Sequence, residues 1–496
     1  MGLVFYLYLC TVIVLLTILV YFAALFGLSR LTASKGSNDT FFRAERRSPW
    51  LMVAFGMVGA SISGVTFVSV PGMVLTSGMT YLQLCMGFIL GYVAVAFVLL
   101  PVYYKLNLTT IYTYLGQRLG RRSYLSGAWF FLLSKLVGAA VKFYVVCMIL
   151  QRFVFDDIGV PFWLNVVVLV ALIWLYTRRG GVRTLVFTDV LQTICLFSAL
   201  LLIIYMVMHQ LGFTLGEAWR SVMADARSRI FVFDDWSSRG YFWKQLLSGA
   251  FIVIVMTGLD QDMMQKNLTC RTLREAQKDM CSYGLAFLPA NFLFLALGVL
   301  LAQWFQAEGL ALPQRGDDLL PLFVQGTGTF VTVLFTLGIV AASFSSADSA
   351  LTSLTTSYCV DIRQRTADEA LRKHTHLTMC LLFAVFILLF RIVNSTSLID
   401  AIYTIVSYTY GPLLGLFAFG LFTQREVLAD RWVPLVCIAS PLLCYAADRL
   451  AQSLYGYHFG YELLLLNGLL TFMGLYMLSA KSLHTDTPEP SHLSPL

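Results

Sequence analysis

The stretch from Leu337 to Asp361, LGIVAASFSSADSALTSLTTSYCVD, is long and apolar enough to cross a membrane, yet it carries Ser343, Ser345, Ser346, Asp348, Ser349, Thr352, Ser353, Thr355 and Thr356. Wound as a helix, it places Ser345, Asp348, Ser349, Thr352 and Thr356 at i, i+3, i+4, i+7 and i+11, on one face. That face cannot favourably meet lipid. An aspartate near the bilayer centre costs about 2.5–3.5 kcal/mol on insertion scales, so it requires a partner, a proton, a cation or water. Hydroxyl, carbonyl and carboxylate oxygens are hard donors that suit a hard cation rather than a soft metal. Small residues also let helices pack closely while hydroxyls bond across the contact, which is the plainer explanation of such a stripe. Asp348 tips the reading toward an ion or proton site.

Working outward, the 496 residues are 58% hydrophobic and only 12% charged, with a mean hydropathy of +0.76. Such a chain is a polytopic membrane protein, and no soluble class fits it. The first apolar run, Leu3 to Leu28, lacks a basic leader and is too long for a secretory signal, so it reads as a retained helix. The ten cysteines lie mostly within apolar runs and show no CxxC spacing, which argues against a disulfide framework or a zinc site. The net charge of +7 comes mainly from loops and calls for no nucleic-acid partner.

Apolar runs of about 20 residues predict helices near 3–28, 50–75, 80–103, 123–151, 160–178, 183–208, 245–265, 278–304, 327–358, 375–393, 399–423, 432–450 and 460–480. The chain is therefore all-α, with about thirteen spans, and an odd number puts the termini on opposite sides. Basic residues cluster in alternate gaps: Arg30, Lys35, Arg43, Arg46 and Arg47 after the first helix, Lys105, Arg118, Arg121 and Arg122 after the third, then Arg178, Arg179 and Arg183. Lys266, Arg271, Arg274 and Lys278, and later Arg363, Arg365, Arg372 and Lys373, continue the series. The positive-inside rule sets the N-terminus outside and the C-terminus in the cytoplasm. Residues 209–244 form the longest loop, an amphipathic surface segment, and the Pro/Ser-rich tail 481–496 reads as disordered.

Four further polar features lie inside the apolar runs. The second helix contains GASISGVTFVSVPG, in which Gly59, Ser61, Ser63, Gly64, Thr66 and Ser69 precede Pro71-Gly72. This is a poor regular helix, and free carbonyls at a mid-membrane break are tolerated where they line a cavity or bind something. Asp189, flanked by Thr188 and Gln192, lies about 9 Å inside the cytoplasmic start of its helix; ion binding and a salt bridge are both open to it. Lys135 and Lys142, seven residues apart, share a face, and either can pair with Asp189 or Asp348, or Lys142 with an anionic solute. Asp260, Asp262 and Gln265 read as a cytoplasmic cap or gate, and Tyr403, Tyr408 and Tyr410 precede Gly411-Pro412, a second expected break.

Together GASISGVTFVSVPG, TDVLQ at 188–192, the DQ…QK segment with REAQK at 274–278, and AASFSSADSALTSL resemble the sodium:solute symporter family. The resemblance spans roughly residues 5–480 and implies a LeuT-like fold of two five-helix inverted repeats, here about 50–208 and 245–423. An extra first helix (3–28) precedes them and two final helices (432–480) follow, within one transporter domain of residues 1–480. It also implies a sodium site made by the carbonyls of Gly59, Ile62 and Ala342 and the hydroxyls of Ser345 and Ser346. Some members bind a second ion nearby, which would fall on Asp189, Asp348 and Ser349. Asp348 stands where the family has a hydroxyl. The solute cavity would be lined by Ser61, Ser63, Thr66, Gln83, Lys142, Met256, Thr257 and Tyr403. Gly138 takes the place of the arginine that holds a carboxylate in sialic acid transporters, and Met256-Thr257 replace the Tyr-Trp pair of the sugar transporter, so neither substrate carries over.

The implied activity is sodium-coupled import of a small organic solute by alternating access across a plasma membrane, in a bacterium the inner one. Na⁺ is the coupling ion, with no organic cofactor and no obligate protein partner evident. Proton coupling through Asp189 and Asp348 is the nearest alternative, followed by a solute sensor that has lost transport. An integral-membrane enzyme is disfavoured because His209, His374, His376, His458, His484 and His492 scatter through loops and the tail. No GxxxxGK[ST] motif is present for an ATP-driven pump.

Overall fold

The computed structural model describes residues 2–32, 37–156, 158–236, 238–393, 405–457 and 459–480. The bundle is built from α1 (Gly2–Thr32), α2 (Trp50–Ser61), α3 (Gly64–Ser77), α4 (Tyr81–Ala94), α5 (Arg121–Leu150), α6 (Phe162–Gly180), α7 (Val182–Gln210) and α8 (Phe242–Val253). There follow α9 (Gln261–Asn267), α10 (Leu273–Ala307), α11 (Thr329–Ser357), α12 (Glu369–Val393), α13 (Gly411–Phe422), α14 (Val433–Tyr455) and α15 (Leu463–Met477). Among the described residues nine helices are long and apolar enough to cross a membrane, or eleven when each of two bent pairs counts as one span. Two shorter apolar helices, α13 and α15, stand beside the thirteen spans expected. Part of the eleventh expected helix, including Tyr403, and the tail from 481 lie outside the described residues.

Helices that are apolar on all sides must be sorted by what they pack against. The Ser-rich helix α11 is the centre: 78% of its most apolar window is buried, against 22% for the span containing α14. It packs on α7, α5, α12, α2 and α3. Its small side chains permit these close contacts, and its hydroxyls bond into them. Gly181, at φ +50°, turns the chain from α6 into α7. A side chain there would also strike Phe41.

Outside the bundle, the long segment after α7 forms a helix, Leu215–Ala224, closed by a capping box of Thr214 and Glu217. The Thr214 amide and hydroxyl hold the Glu217 carboxyl below its ordinary range. Leu215, Trp219 and Met223 on this helix are exposed, matching the amphipathic surface segment expected there. His374 and His376, read as loop residues, instead lie within α12. His376 is buried, with its ring nitrogens 2.8 Å from Thr177 Oγ1 and 3.0 Å from Thr355 Oγ1.

Candidate functional site

The first break falls within the Gly/Ser run. The Ile62 amide makes the last helical bond of α2, to the Val58 carbonyl at 3.2 Å. Ile62 and Ser63 are extended, and α3 restarts at Gly64 after a 61° bend. A helix end leaves its last carbonyls without amide partners. Among the described residues the Gly59 and Ile62 carbonyls accept no hydrogen bond, while the Ala60 carbonyl accepts from Ser346 Oγ at 2.8 Å. Ser346 Oγ also lies 3.3 Å from the Ala342 carbonyl. The Ser-rich helix thus meets the open end of α2 through the Ser346 hydroxyl. Glycine at position 59 is required by the packing of α7 against α2, because a Cβ there would fall 2.8 Å from Thr193 Cβ and still closer to its hydroxyl.

One turn away lies a buried ionic cluster. Ser345 Oγ donates to Asp189 Oδ1 at 2.7 Å, and Lys266 Nζ lies 2.7 Å from Asp189 Oδ2. The Asp189 and Lys266 side chains are 1% and 2% exposed, so the pair has given up its hydration almost entirely. This corrects two expectations: Asp189 is not paired with Lys135 or Lys142, and Lys266 is a core residue rather than a loop charge. Asp348 is buried beside this pair. It accepts from the Tyr176 hydroxyl at 2.6 Å and from Ser349 Oγ at 3.2 Å.

A second sharply bent break lies where the sequence reads as a helix exit. A wide turn over Ile254–Gly258 ends α8, Asp260 is extended, and α9 leaves at 69°. Asp260 caps α9 by accepting from the Asp262 amide at 2.8 Å. At Gly411-Pro412 the expected interruption is slight: Tyr410 is a single turn residue before a helix that starts at Gly411, and the bonds Tyr410 N to Val406 O and Leu414 N to Tyr410 O run across it, since proline in a first turn needs no amide donor. Gly411 is there for contact instead, since a Cβ would run into Asn467. Asp260 is thus a cap, as expected, but of a helix start inside the bundle, where it and Asp262 are buried. Lys135 Nζ sits between them at 3.0 Å and 2.6 Å, and the Tyr410 hydroxyl donates to Asp260 at 2.7 Å.

The two breaks face a common cavity of about 130 Å³. Of the residues expected to line it, Ser61, Ser63, Thr66, Lys142, Met256 and Thr257 do so, and the open position Gly138 forms part of the wall. Gln83 does not. It is fully buried and ties the long surface segment down, donating to Gly240 O at 2.9 Å and accepting from Val232 N at 3.2 Å. The reading of the residues missed Lys135, Asp260, Asp262, Tyr283 and Tyr410 as lining residues. Tyr283 hydrogen-bonds Ser61. The DQD triplet was the signal for two of them, discounted because it was placed at a helix exit. Lys142 makes no hydrogen bond or ion pair among the described residues. A larger cavity, about 720 Å³, adjoins this one, and Tyr81 lines both.

Two bent helices against a hydroxyl-rich third describe the architecture of known ion-coupled carriers, and the comparisons agree. The fold superposes on a solved Na⁺-coupled sialic acid symporter with a TM-score of 0.79 at 20% identity, covering 94% of this chain and 97% of that one. The sodium/sialic acid symporter NanT of Aliivibrio fischeri is 26% identical over 85% of this chain and 85% of its own length. A rabbit (Oryctolagus cuniculus) sodium-dependent multivitamin transporter is 27% identical over 82% of this chain and 66% of its own. The fold is thus LeuT-like, and its relatives are sodium-coupled transporters. The model of the sodium:solute symporter family matches residues 41–427, and this chain belongs to that family.

Proposed function

We propose that this symporter imports a small organic anion together with Na⁺ bound at the first break, by the carbonyls of Gly59, Ile62 and Ala342 and the hydroxyls of Ser345 and Ser346. The observation that carries the ion site is the pair of carbonyls, Gly59 and Ile62, that accept no hydrogen bond while the Ser-rich helix meets that helix end. The donor set is all hard oxygen, which fits an alkali cation and offers nothing to a soft one. An ion there holds α2 to α11 and favours the state that receives solute; its loss releases them. The inward sodium gradient gives the cycle its direction, with about 2.3 kcal/mol per charge for each 100 mV. Lys142, without a hydrogen bond or ion pair among the described residues and at the wall of a small cavity, supports an anionic solute. The alternating basic gaps support an N-terminus outside, a cytoplasmic C-terminus and a plasma membrane setting.

The Ser345→Ala, Ser346→Ala double variant tests the ion site. Its sodium half-saturation should rise about tenfold or more while its yield stays near that of the parent, given about 1 kcal/mol lost per hydroxyl. Unchanged sodium dependence removes the assignment. A second reading, proton coupling, is favoured by Asp348, which has a tyrosine and a serine as donors but no directly bonded cation among the described residues. Under it, Asp348→Asn abolishes pH-driven uptake. Under sodium coupling alone, the same variant leaves a sodium-driven flux.

A further inference from the structure

We infer that Asp279 holds a proton in this structure and shares it with the side chain of Asn267, and that this neutral pair is a latch on the inner end of the second broken helix. Asn267 is the last residue of α9, and Asp279 stands in the second turn of α10. Both are fully buried. Asn267 Nδ2 donates to Asp279 Oδ2 at 2.5 Å and to the Ala276 carbonyl at 3.0 Å, which uses both amide hydrogens and fixes the orientation of the amide. Two oxygens are left over, Asp279 Oδ1 and Asn267 Oδ1, each buried without a donor. One proton on the carboxyl answers both. It removes the charge, and the O–H it forms can donate to Asn267 Oδ1 and close an acid–amide pair.

No cation competes for this carboxyl. Asp279 forms no ion pair among the described residues; on α9, Lys266 is taken by Asp189 of α7, and Asp262 by Lys135. The other titratable groups facing Asp279 are Tyr104, Cys270 and Glu275, with Cys281 and Tyr283 on its own helix. None of these can be positive, and Glu275 brings a like charge. α2 and α3 carry no titratable side chain, and α4 contributes Tyr92, packed on Tyr283. Arg46 lies over the Tyr104 ring at 5.6 Å and donates to the Leu108 carbonyl, while Lys278 lies 6.0 Å from the centre of the Trp50 ring. An ionised Asp279 would be a buried charge with one amide donor and no counter-ion, an arrangement proteins avoid. The turn between α9 and α10 is tied down by Ser48 N, which donates to Thr269 O at 3.1 Å. In the proposed orientation this end faces the cytoplasm. Opening it admits water, the Asp279 O–H passes its proton to that water, and a hydrated carboxylate remains. An acidic cytoplasm therefore resists inner opening and an alkaline one favours it. Lys266, next to Asn267, carries the movement to Asp189 and so to Ser345.

The test uses the full-length protein in NaCl and needs no solute. In the infrared difference between the parent and Asp279→Asn near neutral pH, the parent should show the C=O stretch of a carboxylic acid, shifted down in D₂O. Carboxylate stretches in its place overturn the inference. The amide of Asp279→Asn keeps both bonds to Asn267, so this variant should fold. The folded parent holds a proton that the unfolded chain releases above about pH 4. Its melting temperature should therefore fall relative to that of the variant as pH rises from about 5 to 8. Parallel profiles would remove the proton from Asp279. The latch is read at Cys270, a free thiol buried in the turn, by maleimide labelling measured on its own peptide by mass spectrometry. The parent-to-variant ratio of labelling rates cancels the pH dependence of the thiol, and should rise with pH by up to about tenfold per unit, the limit for one proton. A flat ratio with the acid band present gives the proton a packing role only and overturns the latch. If Asp279→Asn does not fold, Asp279→Thr, neutral and with a hydroxyl for Asn267, replaces it throughout. None of these readings depends on the sodium ligands, so failure of the Ser345, Ser346 assignment is told apart from failure here.

Discussion

The two breaks solve the same backbone problem with different chemistry. At the first, residues 59–64 are glycine, alanine, isoleucine and serine, and the open helix end meets the hydroxyl of Ser346 without any charge of its own. At the second, Asp260 closes the new helix start and Lys135 closes the two aspartates. A neutral break leaves carbonyl dipoles of moderate strength, suited to an ion that has to be released on each cycle. A charged break offers directional poles, suited to orienting an organic molecule. The Asp189–Lys266 pair beside the neutral break matches its own charges, and Asp348 next to it has hydroxyl donors but no directly bonded cation among the described residues.

The most severe way to disturb this arrangement is Asp189→Asn. It leaves Lys266 charged and alone in a site from which water is excluded, and should cost about 3–5 kcal/mol. The melting temperature of the purified protein should collapse, and Asp189→Asn with Lys266→Met should recover much of it without restoring transport. A single variant as stable as the parent would mean that the pair holds little of the fold. Lys135→Met makes the matching break on the other side, leaving two carboxylates with one tyrosine, at a cost of similar order.

Smaller effects sharpen the contrast. Gly59→Ala forces a methyl against Thr193 and should cost about 1–3 kcal/mol. Thr193→Ala should return part of it, and a thermodynamic cycle would show whether the two changes are coupled. Lys142→Met should be the mildest in stability, within about 0.5 kcal/mol, because nothing in the described structure depends on that ammonium. Its effect belongs in solute affinity, and a large fall in melting temperature without solute would assign it a structural role instead. Across all four, a NaCl-specific rise in melting temperature relative to KCl reports whether the proposed ion site survives, through binding linkage.

Much of this molecule was legible from residue order. Lipid acts on each stretch of chain as a uniform solvent, so long apolar runs announced helices wherever they packed. Polar residues inside those runs announced sites for the same reason, and Ser345, Ser346, Asp189 and the Gly59–Gly64 break were readable from local composition. The fold class, the Ser-rich helix as organising element and the first break were determined by the sequence itself. Partner choice was not. Lys135 finds Asp260 across 125 residues, and Ser345 finds Asp189 across 156. Two lysines on one helix face gave no means of telling which carboxylate each would meet. The second break also went unread, because a glycine before an aspartate resembles an ordinary helix exit until the next seven residues are seen turning back into the core. Tertiary packing decided these points, since the energy of a buried charge depends on the atoms that surround it, and those come from helices distant in the chain.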